Sequence, residues 1–456
     1  MAKLLKRSLC VSVLLATGAA GVLAQSSGDK PLFQWGGDFR FRYEGYNNVH
    51  TLRSFGTHDR DYLRSRLRLW ETTNPFPSLS LFGRVSAEPR YWFNAASTVA
   101  EGEEWKYGIL DNFYAKWTTE SDGMPITVTI GRQDIQLGEQ WLVTDGTPLD
   151  GSWTNHFDGL RATINAKDYK TTFELIAFDQ QAAPGDRMPV LGRRYDLSGK
   201  KYLLQEQDET GVIVYVSNKS LKNTQVDGYF IYKGDDAVAS SLSRAGYNAD
   251  IFTFGGRVAG TPGDHWQYSA EAAYQWGERR DATFTTDRDV SAYGANAKLT
   301  YSFKDELKNQ VTFVAEYLSG DKAGTGKDEM FDVLWGRTPR ISEVWAVAIG
   351  QDVGRNGQYQ NLFRLGGSWS IAPTKNTTVT GTYNALFAPE VSPTRTTSAL
   401  FSRDSHFRGH MFQLVVKQKF TKQLSGLILG EWCPMGGYYT HKDQMTFVRA
   451  EMLVTF

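Results

Sequence analysis

Arginines share one alternating parity in three neighbouring stretches of the chain: Arg40 and Arg42, then Arg64, Arg66 and Arg68, then Arg84 with Arg90. A guanidinium keeps its charge at any working pH and offers a planar fork of donors that fits a carboxylate or phosphate with two hydrogen bonds. On a strand, alternate residues share a face. Such rows therefore suit a polyanion passed from one group to the next. Glu44 and Glu88 fall on the same faces, and Arg161, Arg257, Lys298, Arg364, Lys417, Lys419 and Arg449 extend the basic set from other stretches. Against them stand Glu174, Glu271, Glu316, Glu431 and Glu451. The competing reading is that arginines and glutamates pair and brace a wall.

Other chemistry is sparse. The 7 histidines are scattered without an HExxH pair or a Cys/His cluster at metal-ligand spacing. Asp321, Asp328, Glu329 and Asp332 form an acidic stretch whose oxygens suit calcium or simply meet water. No Gly-x-Ser-x-Gly elbow occurs. The expectation is no catalytic residue, no metal site and no cofactor.

The elements that position these side chains read as strands. Alternation with turn signals predicts about 18, near 35–47, 59–73, 78–93, 106–119, 126–134, 155–165, 171–179, 210–217, 225–232, 250–259, 264–276, 290–303, 310–318, 358–371, 377–387, 408–420, 423–432 and 443–456. Tight links such as Asn74-Pro75-Phe76-Pro77, Asp122-Gly123 and Thr421-Lys422 alternate with long ones through His50 and His58, 95–105, 180–209 and 320–357. That is the rhythm of an outer-membrane barrel, short turns on one side and long loops on the other. Trp266, Tyr268, Ala270, Ala272, Tyr274 and Trp276 share a face with aromatics at both ends, as do Tyr293, Ala295, Ala297, Leu299 and Tyr301. Two aromatic girdles around an apolar band mark a lipid-facing wall. By the same parity Phe39, Phe41, Tyr43, Leu63, Leu67 and Leu69 face lipid and the arginines face a water-filled lumen. Arg132 breaks the rule, because Ile126, Val128 and Ile130 share its parity. A bulge at Gly131 or a position above the membrane would resolve it.

Composition agrees. The 456 residues carry 50 basic and 50 acidic side chains and a mean hydropathy of −0.41, so no net field draws the chain to nucleic acid. Glycines, 44 in all, and aromatics are spread evenly, which speaks for one domain. Lys3, Lys6 and Arg7, an apolar run from Leu9 through Leu15 with Cys10 inside it, and Val22-Leu23-Ala24 predict a signal peptide over 1–24. The mature part, 25–456, then keeps Cys433 alone and has no internal disulfide. At the other end Val448, Ala450, Met452, Val454 and Phe456 alternate with Arg449, Glu451 and Thr455, a final barrel strand whose terminal aromatic is expected to address the barrel assembly machinery. The fold class expected is an all-β, antiparallel, up-and-down transmembrane barrel in the outer membrane of a Gram-negative-type bacterium.

At Ile130-Gly131-Arg132-Gln133-Asp134-Ile135-Gln136-Leu137-Gly138, Trp153 and Phe157-Asp158-Gly159-Leu160-Arg161, the chain resembles the bacterial alginate export family. The likeness includes Gly37-Asp38-Phe39-Arg40-Phe41-Arg42-Tyr43-Glu44, Arg64-Ser65-Arg66, Tyr317-Leu318-Ser319-Gly320-Asp321, and Gly409-His410 through Trp432, Pro434 and Gly436. The resemblance implies an 18-stranded barrel with an arginine-rich pore that conducts polyuronate, with Arg132 and Arg161 in the matching motifs. One departure is the tight turn at Thr421-Lys422, where the exporter itself has a long pore-plugging loop. The expected function is a channel for anionic poly- or oligosaccharide or related anionic solutes. Alternatives are a general diffusion porin, an outer-membrane enzyme, and a structural or adhesive barrel whose lumen is filled.

Overall fold

A computed structural model describes residues 31–55, 59–95, 102–104, 107–144, 156–183, 185–192, 203, 207–238, 247–280, 287–337, 340–353, 358–391 and 398–456. The leader expected over 1–24, together with His58, Trp153 and Asn155, lies outside the described residues. Along the chain run β1 (Phe33–Asn47), β2 (Asp59–Phe76), β3 (Leu79–Ala87), β4 (Arg90–Asn94), β5 (Gly102–Glu104), β6 (Tyr107–Ser121), β7 (Met124–Gln133), β8 (Phe157–Ala166), β9 (Thr171–Gln180), β10 (Val190–Gly192) and β11 (Gln207–Asn218). There follow β12 (Thr224–Ala237), β13 (Asn248–Gly260), β14 (Trp266–Arg280), β15 (Arg288–Ser302), β16 (Gln310–Leu318), α1 (Glu343–Val353), β17 (Leu362–Thr374), β18 (Thr377–Phe387), β19 (Phe407–Lys419), β20 (Leu424–Pro434) and β21 (Gln444–Thr455).

Each wall strand pairs antiparallel with its neighbour, and β1 meets β21 from Asp38 opposite Thr455 to Asn47 opposite Thr446, which closes the sheet. The wall has 18 strands, as the alternation predicts. β4 prolongs β3 along β2 beyond Glu88 and Pro89, where proline supplies no N–H and its carbonyl accepts from Ser65 instead. β5 and β10 are short additions in loops. The links 77–78, 122–123, 167–170, 219–223, 261–265, 303–309, 375–376 and 420–423 are short and all lie at one end. Positive φ at Asp122 (50°) and Gly123 (73°) gives that hairpin the primed turn that matches strand twist.

The faces divide as parity predicts. Phe39, Phe41, Leu67, Leu69, Tyr274, Trp276, Tyr293 and Leu299 are exposed on the outside, while Arg40, Arg42, Glu44, Arg66, Glu271 and Gln275 between them are buried inside. A soluble barrel would be the inverse. Lipid on the outer wall accounts for the apolar exposure, since every backbone group of a closed sheet is satisfied within it. Among the described residues no helix is long and apolar enough to cross a membrane.

The interior differs from an open water-filled tube. Of segment 319–361 after β16, the described residues 319–337, 340–353 and 358–361 turn inward, and there Phe331, Val333, Trp335, Val344, Trp345, Ile349 and Tyr359 are fully or almost fully buried. They join Ile135, Trp141, Leu142 and Val143 of the link after β7 and lumen-facing Phe178, Ile213, Ile251 and Phe447 in one apolar core. Phe178 and Phe157 meet the Trp335 ring edge-on at 4.9 and 6.3 Å. The alternation rule is silent on this plug because neither segment is a wall strand.

Candidate functional site

One wall of the lumen, formed by β21, β1, β2 and β4, carries Arg40, Arg42, Arg64, Arg66, Arg68, Arg90 and Arg449. Register sets Arg40 directly opposite Arg66, Arg42 opposite Arg64, and Arg64 opposite Arg90. Arg42, Arg64 and Arg90 thus form one row across three strands. Like charges directly opposite are destabilising, and four carboxylates from the same wall offset them. Glu88 lies 2.7 Å from Arg64, 2.7 Å from Arg90 and 3.6 Å from Arg40. Glu44 takes Arg449 and Arg42 and accepts from the Tyr62 hydroxyl at 2.7 Å. Asp38 takes Arg66 at 3.1 Å and Arg68 at 2.6 Å, and Glu451 takes Arg42 at 2.5 Å. With Glu343 of α1, which takes Arg449 at 2.9 Å, five carboxylates stand against these seven guanidiniums, a surplus of two positive charges. Arg40, Arg42 and Arg66 are buried by their neighbours, whereas the Arg90 side chain keeps 28% exposure and reaches the lumen.

Elsewhere the predicted residues sit in separate pairs. Arg84 holds Asp111 at 3.0 Å and Asp134 at 3.1 Å. Arg161 grips Glu174 with two bonds of 2.8 and 2.9 Å. Glu316 accepts from Arg364 at 2.8 Å, from the Trp141 indole at 3.0 Å and from Arg340. Lys417, on the lumen parity of β19, is exposed near the short turns. Lys419 shares that exposure. Glu431 does not answer a wall arginine; it accepts from Ser342 Oγ and from the backbone N–H groups of Glu343 and Val344, capping α1 from the adjoining wall strand β20.

Arg132 is 1% exposed, its Nε and Nη2 each 2.7 Å from Asp158 and its Nη1 on the Leu110 carbonyl. The switch in its direction comes from Gly131, whose φ of 122° turns the backbone without shifting the register of β7 against β6 or β8. A Cβ there would run into the Phe113 carbonyl. The inserted residue lies instead across the ladder, at Asp111 of β6. The acidic stretch after β16 is no cluster: Asp321 pairs with Arg288 at 2.8 Å, and Asp328 and Asp332 with Arg279 at 2.9 and 3.0 Å. No group of carboxylates, His or Cys among the described residues could hold a metal ion.

Between β7 and β8 a strap, 134–144, crosses the lumen. Asp134 anchors it to Arg84 and to Asn112 on the basic side. At its tip Gly138 (φ 55°) passes so close to the Tyr215 hydroxyl that a Cβ would lie 2.9 Å from it. Glu139 then reaches Arg257 of β13 at 3.3 Å and Lys298 of β15 at 2.5 Å. Burial would raise the Glu139 carboxyl, but hydrogen bonds from Lys298 and Arg257 outweigh it and hold it below its ordinary value. The strap is stitched to the plug where the Trp335 N–H donates to the Leu142 carbonyl at 2.9 Å. Asp38, Asp134, Asp158, Asp227, Glu139 and Glu343 escape the sequence reading. Asp38 and Asp227 share the lumen parity and were legible; the others lie in links or at strand ends, where parity carries no signal.

A closed barrel of 18 strands with girdled outer wall, short turns at one end and inward-folded loops defines an outer-membrane porin. The chain belongs to the alginate export family, whose model matches residues 32–444. Family and fold are those of transport porins rather than enzymes. No curated protein matches the sequence. Among solved structures it is similar to OccAB1 of Acinetobacter baumannii (TM-score 0.58, 11% identity, 95% of this chain and 99% of that one). It is also similar to the outer membrane protein opdK of Pseudomonas aeruginosa (TM-score 0.56, 10% identity, 93% and 98%). A third is OccK2 (OpdF) of the same organism, solved with glucuronate (TM-score 0.51, 9% identity, 93% and 98%).

Proposed function

We propose that this porin passes anionic sugars, oligo- or polyuronate and related carboxylates, along its arginine wall. The observation that carries the reading is the row Arg42, Arg64, Arg90 with Arg40 opposite Arg66: a wall built only for bracing would alternate its signs across strands. A low-dielectric wall strengthens the field of such a row and favours anions. Family membership and the glucuronate held by OccK2 support the uronate class. In planar bilayers the wild type is expected to be anion-selective by reversal potential and to show saturable block by oligouronate. Replacing Arg64, Arg66 and Arg68 together with Ala should weaken both. A cation-selective wild type overturns the proposal; anion selectivity without block reduces it to a general diffusion porin. The filled outer half of the lumen favours a second reading, a structural barrel, and its mark is the absence of any conductance.

A further inference from the structure

Halfway around the barrel from β1, on β13, β14 and β15, the lumen has a second basic place. Arg257 and Lys298 converge there on the same carboxylate, Glu139 at the tip of the strap. Arg257 is also held by Asp227 at 2.7 Å, so its direction is fixed, whereas the Lys298 side chain keeps 48% exposure. Beside this pair a cavity of about 520 Å³ opens toward the short turns, lined by Glu139, Lys298, Gln225, Gln267, Ser269 and Thr300 among others. Hydroxyl and amide groups beside two cations are what a carboxylated sugar asks of a site: bidentate or charge-assisted bonds for the acid, and neutral donors and acceptors for the hydroxyls.

We propose that Arg257 and Lys298 form a carboxylate subsite for a uronate residue on the wall opposite the arginine row, and that Glu139 is a tethered competitor occupying it. The strap places a carboxylate of the chain itself on the cations that would otherwise bind one from solution. An arriving uronate exchanges with Glu139 on the exposed Lys298 first, because Arg257 is held by Asp227 as well. Glu139 thereby sets how long a uronate stays at this mouth, and so how sharply the channel tells acidic sugars from small anions.

This proposal rests on the anion-channel reading, and the experiment separates the two. The full-length porin is reconstituted in planar bilayers, and block by a defined uronate trisaccharide is measured with the sugar on the side of the short turns. A neutral glucose trisaccharide serves as control. Glu139→Gln keeps the shape and removes the charge; it should tighten uronate block by about three- to fivefold, the size set by one half-exposed ion pair, and leave the neutral sugar unaffected. Lys298→Gln should weaken block by a similar factor. That substitution removes an exposed side chain of a rigid strand, so it reports even where the strap is disturbed. Unchanged block in both variants, with the Arg64, Arg66 and Arg68 triple variant still weakening it, overturns the subsite while the channel stands. Loss of block in Glu139→Gln overturns it too, since Glu139 would then be binding the sugar rather than competing with it. A wild type that shows no uronate block reduces the channel to a general diffusion porin and overturns this proposal with the uronate reading it rests on.

Discussion

Glu88 holds three guanidiniums within 3.6 Å while 6% exposed, and the other carboxylates near them stand farther off, Glu44 3.7 Å from Arg64 and Glu451 4.0 Å from Arg40. Removing one partner from a buried ionic cluster typically costs about 3–5 kcal/mol, because the remaining charges stay desolvated and uncompensated. Glu88→Gln is therefore expected to lower the temperature at which the folded band disappears on semi-native gels. In whatever fraction folds, anion selectivity should increase. The sequence showed Arg40, Arg64 and Arg90 on one face because parity is a local property. It did not show which carboxylates answer the arginines of this wall, because Asp38 meets Arg66 and Arg68, and Glu451 meets Arg42, across a register that only the closed sheet defines.

Two histidines, His156 buried and His50 half-buried, add a pH dependence at the same scale. Burial, reinforced by Arg60, lowers His50 to about 3, and burial with Arg132 lowers His156 to about 3. Both values lie beneath the roughly 6.5 of a free imidazole, so the unfolded loop binds the proton more readily than the packed one. Their packing is intact above pH about 6.5 and loses stability progressively as pH falls toward 3. Hydrogen exchange at residues 48–52 and 156–158 should accelerate between about pH 6 and pH 4, while amides at mid-wall in β13 and β14 remain protected. Equal exchange at both pH values would contradict it.

Among the elements, segment 319–361 decides how much of the lumen is open. Trp335 is completely buried, its indole N–H donates to Glu209 at 3.0 Å, and Arg337 reaches the same carboxylate at 2.6 Å. Truncating a large core aromatic costs about 3–5 kcal/mol through lost burial and the cavity left behind. The wall's backbone bonds to this segment run from β15 to Ser319 and Asp328 and do not involve the Trp335 side chain, so Trp335→Ala should spare the barrel and loosen the plug. Single-channel records are expected to show higher mean conductance and more flicker than wild type. The wall strands were legible from alternation, turn chemistry and link lengths, all of which are local. The inward path of 319–361 and of the strap was not, because a long link bears the same residues whether it projects into water or folds into the tube. Trp335, Val344 and Trp345 offered a hint only in retrospect: large apolar residues in a supposed solvated loop need a core to join.

At the scale of the whole molecule, formal neutrality conceals a division by place. Positive charge is in surplus on the wall of β21, β1, β2 and β4, where Glu343 of the plug takes Arg449, while Glu139 of the strap meets Arg257 and Lys298 on the far side of the lumen. Selectivity that arises from such a field is screened by salt, with a Debye length of about 10 Å at 0.1 M and about 3 Å at 1 M. The permeability ratio of anions over cations, measured by reversal potential at a fixed gradient, is expected to fall toward unity as mean salt rises across that range. A ratio independent of salt would point to size exclusion instead.

The strap has a mechanical meaning as well. Tied to Arg84 and Asn112 at one end and to Arg257 and Lys298 at the other, it works as a cross-brace between walls. Any ovalisation of the cylinder under lateral pressure must stretch or shorten it, so the aperture is gauged from within rather than by the surrounding bilayer.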